Sequence, residues 1–96
     1  MKLLSVKPAT DNKHKYTATF LQDTGRIKTT HFGAKGMDDY TLTHDKEQRE
    51  RYRQRHKKDL ATKNPMKAGF LSFYILWGNS TSIQENIRTF KQHFGL

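Results

Sequence analysis

The chain has 96 residues, no cysteine, and 18 Lys and Arg against 9 Asp and Glu, a formal net charge of +9. That length fits a single domain, residues 1–96, and the missing cysteines exclude disulfides and Cys-ligated metal centres. No stretch approaches the roughly 18 apolar residues of a membrane span, and the excess of cations favours an anionic partner: nucleic acid, acidic protein or an anionic membrane surface. The apolar fraction is 33%, so the expected core is small, while 11% aromatics argue against simple disorder. The opening "MKLLSV" is too short an apolar run for a signal peptide, and the expectation is a soluble, non-secreted protein.

Leu4 and Val6 alternate with Ser5 and Lys7, which predicts a first strand. "DNKHK" supplies turn residues. "YTATFLQ", residues 16–22, is rich in Thr and aromatics and reads as a second strand. "DTG", residues 23–25, fits a three-residue hairpin loop with Gly25 in the left-handed region, and "RIKTTHF", residues 26–32, returns as the third. If Gln22 faces Arg26, Tyr16, Ala18 and Phe20 share a face with Lys28, Thr30 and Phe32, the preferred core face; a one-residue slip would swap the two faces.

"GAKGMDDYTLT", residues 33–43, reads as a loop, with Asp38 and Asp39 as turn residues that bond backbone. A helix starts near Thr43 to Asp45 and runs to about Leu60. Asn64 and Pro65 predict the cap and first position of a second helix ending at Trp77, with Gly78 as terminator. Ser82 and Glu85 form a capping box for a third, whose Ile83, Ile87, Phe90 and Phe94 lie on one stripe. Strands followed by helices without alternation predict an α+β fold, a three-stranded antiparallel sheet followed by three helices.

Residues 46–58, "KEQRERYRQRHKK", carry seven cations and two carboxylates. With Tyr52 at the centre of its buried side, Gln48 and His56 lie beside it. Lys46, Arg53 and Lys57 form one flank, and Arg51, Arg55 and Lys58 the other. Two readings compete. One is a solvated helix stitched by pairs such as Glu47–Arg51. The other has the cations on phosphates, with Arg51, Arg53, Arg55, Lys57 and Lys58 leading and Lys46 and Arg49 on the same helix. Arg26 and Lys28 would extend the footprint to the sheet, and Lys35 to the loop. No base-reading signature is present, so binding would be weakly sequence-specific.

His31, Asp38, Asp39, His44 and Asp45 cluster in sequence but match no metal-ligand spacing. "GAKG" lacks the phosphate-loop pattern. No catalytic residue, metal, cofactor or small-molecule substrate is therefore expected. The segment Phe70–Trp77 is apolar on most sides. It is either plain core or, at Phe73 and Trp77, a homodimer interface.

These segments resemble a small protein family of large nucleocytoplasmic DNA viruses, their virophage satellites and mobile elements. The resemblance is carried by Phe32-Gly33-Ala34-Lys35-Gly36, Asp39-Tyr40-Thr41, His44-Asp45, Tyr52-Arg53-Gln54-Arg55-His56, Gly69-Phe70-Leu71-Ser72 and Leu76-Trp77. It covers roughly residues 31–78. Relatives often carry an acidic residue and a Trp after the first helix, where this chain has Asp59-Leu60-Ala61-Thr62. The resemblance implies a protein of the infected host-cell interior or the virion, with no assigned role, compatible with binding genomic DNA. Tyr52 and His56, one turn apart, are expected to anchor the helix to the sheet or to Asp39. The leading functional expectation is a non-enzymatic, mostly sequence-nonspecific, homodimeric DNA-binding protein. The alternative is a structural or virion module whose basic face meets acidic protein.

Overall fold

A computed structural model describes all of residues 1–96. Three antiparallel strands, β1 (Lys2–Pro8), β2 (His14–Leu21) and β3 (Ile27–Ala34), form a sheet in the order β1-β2-β3. Helices follow: α1 (Tyr40–Thr43), α2 (Lys46–His56) with a tight 3₁₀ extension over Lys57–Thr62, α3 (Ala68–Leu71), which continues as a wide π-type turn over Ser72–Leu76, and α4 (Ile83–Phe94). The α+β expectation holds.

The β2–β3 register is the one the hairpin predicts. Tyr16 faces Phe32 and Leu21 faces Ile27, and Gln22 and Arg26 close the loop, Gln22 N–H donating to Arg26 O at 2.9 Å. Gly25 has φ +85°. Ala18, Phe20 and Phe32 are buried on the chosen face. The β1 pattern differs from expectation. A bulge between Leu3 and Ser5 inserts one residue, so Leu3 takes the core position opposite Phe20 and Leu4 is left 50% exposed. At the β1–β2 turn, Asp11 Oδ1 accepts from Lys13 N and His14 N at 3.0 Å, and Oδ2 lies 2.6 Å from His14 Nδ1. The His14 bond, then these backbone bonds, hold the Asp11 carboxyl well below the usual carboxylate range.

The second helix begins later than Pro65. Asn64 Oδ1 accepts from Met66 N at 3.0 Å, which closes a local turn. The Met66 carbonyl is taken by Thr30 Oγ1 at 2.8 Å, and Lys67 is extended at φ −78°, ψ 143°. The helix therefore opens at Ala68. Its wide end is closed by Trp77 N donating to Ser72 O at 3.0 Å, an i to i−5 bond.

At α4, Ser82 Oγ accepts from Glu85 N at 3.3 Å. The reciprocal half of the capping box is absent, because Glu85 turns to Arg88 at 2.5 Å and Ser82 N donates to Ser80 Oγ. Phe90 is buried, with Ile83, Ile87 and Phe94 packed on the same core. The joint between α3 and α4 is polar. Asn86 is buried, donates to Ile75 O at 2.9 Å and Ser80 O at 2.7 Å, and accepts from Ser80 N at 3.1 Å. Asn86→Ala would orphan the buried Ile75 carbonyl and destabilise the fold by about 1–3 kcal/mol or more. Exposed Gln84→Ala should stay within about 0.5 kcal/mol. Urea denaturation of the two variants measures the difference.

Candidate nucleic-acid interface

Helix α2 starts at Asp45, whose Oδ1 accepts from Glu47 N at 3.0 Å and Gln48 N at 3.1 Å. Its mean character is so polar that it meets the domain along a thin seam. At the centre Tyr52 stacks on Trp77, ring centroids 4.3 Å apart at 9°, and on its other face His56 stacks at 4.1 Å and 20°. The anchor for this pair is thus the π-type turn, not Asp39. Asp39 instead caps α1, its Oδ1 accepting from Thr41 N at 2.8 Å, and pairs with Lys15 Nζ at 2.5 Å. His56 Nδ1 lies 3.0 Å from Asp59 Oδ2. Burial, then the Asp59 charge, push the Tyr52 phenol up to about 12.

Two expected phosphate contacts belong to the seam. Arg53 Nη1 donates to Trp77 O at 2.8 Å and to Phe73 O at 3.4 Å, and its guanidinium sits 4.2 Å from the Phe73 ring centroid. Burial, then the neighbouring Arg49, lower its pKa. Arg49 lies over the Tyr40 ring at 5.2 Å and reaches Glu50 at 3.2 Å and Asn79 at 3.4 Å. A wheel places Arg53 on a flank, but the carbonyls ending the wide turn draw it inward. The same contacts bury the two residues expected at a homodimer interface: Phe73 is 5% and Trp77 7% exposed, covered by Arg53 and Tyr52 within one chain.

Lys46, Arg51, Arg55, Lys57 and Lys58 are exposed and make no ion pair. Glu47 and Arg51 do not pair, so the stitched-helix reading loses its example. The sheet cations stand apart from these. Arg26 and Lys28 are at the hairpin end of β3, whereas α2 faces the opposite end, around Gly33 and Gly36. Lys28 instead shares a shallow depression with Asn64 and Lys67. Lys35 is exposed, with Nζ 3.3 Å from Asn12 Oδ1 and its amide on Lys13 O. The exposed cations Lys13, Lys63 and Lys67 escaped the sequence reading because they sit on turns, where no periodicity marks a side.

A cleft of about 600 Å³ separates α2 from the turn after β3. Gln48, Tyr52, Arg55 and His56 form one wall, and Ser72 and Trp77 belong to its floor. Gly33 lets β3 pack directly on the π-type turn: at φ +76°, a Cβ there would lie 2.7 Å from Leu76 Cδ1. No group of three or more His, Asp or Glu is placed to hold a metal ion.

A family described as a family of unknown function (DUF5754) matches residues 4–56. The chain belongs to that family. The DUF5754 match spans the sheet, α1 and α2, and the floor of the cleft, from α3 onward, lies outside it. No curated protein and no solved structure matches the chain. No helix is long and apolar enough to cross a membrane.

The seam makes two predictions. Arg53→Ala leaves the Trp77 carbonyl without its donor and exposes Phe73, lowering stability by about 1–3 kcal/mol; Arg51→Ala stays within about 0.5 kcal/mol, as thermal and urea unfolding would show. The raised Tyr52 pKa means the native state keeps a proton that the unfolded chain releases. Its contribution is therefore complete below pH 10.0 and is lost as pH climbs to about 12. Stability measured across that window should fall less steeply in Tyr52→Phe than in the natural chain.

Proposed function

We propose that the protein is a non-enzymatic DNA-binding protein of low sequence specificity that contacts phosphates through Lys46, Arg51, Arg55, Lys57 and Lys58. The observation that carries this reading is that these side chains are exposed, lie on one helix and its extension, and have no carboxylate partner. Unpaired, hydrated cations grouped this way release counterions from a polyanion when they bind. Arg51 and Arg55, one turn apart, add planar donors suited to phosphate oxygens. No base-reading motif accompanies these side chains in the sequence. The setting implied by the viral resemblance, an infected cell or a virion, is one in which such a protein would meet genomic DNA.

The test is a duplex-binding titration against salt. Five phosphate contacts give a log–log slope of roughly −4 to −5. Arg51→Ala and Lys58→Ala should each reduce the slope by about 1 and weaken binding alike on unrelated sequences. Arg53→Ala, if folded, should leave the slope unchanged. A flat salt response, with binding to an acidic polypeptide retained, favours the protein-interaction reading instead.

A further inference from the structure

The cleft beside α2 shares Arg55 with the exposed helix face and sets it beside Gln48 and His56, which that face does not use. Gln48, Tyr52, Arg55 and His56 recur at helical spacing on its wall. Gln48 Oε1 accepts from Thr43 Oγ1 at 2.9 Å, which turns its amide N–H groups to other use. Arg55 has no carboxylate partner. Asp59 occupies His56 Nδ1, leaving Nε2 as the uncommitted ring nitrogen. Lys15, at the far side, is already neutralised by Asp39. The one lining carboxylate is Asp38, exposed at the mouth. Beside it Met37 stands 63% exposed, an apolar, adaptable surface at the opening.

We propose that this cleft binds the phosphate monoester of a nucleotide, with Gln48, Arg55 and His56 on the phosphate and Met37 against the base. The volume, about 600 Å³, is in the range of small-ligand sites. Its concavity selects the ligand. The phosphodiesters of a duplex lie on a convex surface and meet projecting side chains, whereas Gln48 and His56, half-buried on the cleft wall beside exposed Arg55, are reached by a terminal group. A monoester also carries more charge than a diester, and charge-assisted bonds from Arg55 reward it. The same chemistry comes from a free nucleoside monophosphate or from the 5′-phosphorylated end of a strand. The choice of a nucleotide rests on the nucleic-acid reading above; the donor geometry does not.

Trp77 is the single tryptophan and lines the floor, so its indole N–H resonance reports occupancy. The full chain is titrated with adenosine 5′-monophosphate, with adenosine, and with one short single strand bearing either a 5′-phosphate or a 5′-hydroxyl. Saturable movement of the indole signal with the monophosphate but not adenosine is expected, and roughly ten-fold tighter binding of the phosphorylated strand. A response to the free nucleotide without preference between strand ends assigns the site to a small-molecule ligand; preference between the ends assigns it to strand termini. His56→Gln should abolish the indole response while Gln54→Ala preserves it. Equal responses to monophosphate and adenosine, or none to either with no preference between ends, overturn the proposal. Failure of both strands and of a duplex of the same sequence to bind, with the monophosphate response intact, instead removes the DNA reading.

Discussion

The stack of Tyr52 on Trp77, locked by the Arg53 guanidinium on the Phe73 and Trp77 carbonyls, is the contact on which the arrangement of this protein turns. Helix α2 has almost no apolar surface, so it cannot be held by a broad buried stripe. A single aromatic plane and the Arg53 guanidinium hold it instead, with Arg49 laid over Tyr40. The aromatic pair supplies contact area and the guanidinium satisfies carbonyls that end a π-type turn. Because the seam is narrow, it fixes which cations are structural and which are free. Arg49 and Arg53 are committed inward, and Lys46, Arg51, Arg55, Lys57 and Lys58 face water without a carboxylate partner.

Much of the sheet is legible in the sequence because a period-two pattern and a glycine hairpin loop both constrain register. Tyr16, Ala18, Phe20 and Phe32 were placed on the core face by that logic alone. The bulge at Leu3–Ser5 was not legible, since Leu3 and Leu4 are equally apolar and only the pairing with β2 decides between them. Helix α4 was readable from its stripe and its Ser82 cap. The start of α3 was not, because Thr30, distant in sequence, takes the Met66 carbonyl and holds the preceding turn open.

The same limit explains the interface. A helical wheel assigns direction to Cβ atoms, not to the ends of long side chains. Arg53 leaves its flank because acceptors exist on the π-type turn, and nothing in the local sequence announces them. Phe73 and Trp77 looked like surplus apolar surface for a second copy of the chain. The surface that covers them comes from α2, the segment with the least apolar character. Charged residues do this through their aliphatic stems and planar groups. The most cationic segment thus shields the most apolar one through Tyr52 and Arg53, while Lys46, Arg51, Arg55, Lys57 and Lys58 stay displayed.

A lysine acetylation footprint, taken with and without duplex DNA, tests this division of the cations most directly. The account predicts that DNA shields Lys46, Lys57 and Lys58 while Lys2 and Lys7, on β1, and Lys91, on α4, react as before. Shielding of Lys2 and Lys7 with the α2 lysines unchanged would contradict it and move the binding surface to the open face of the sheet.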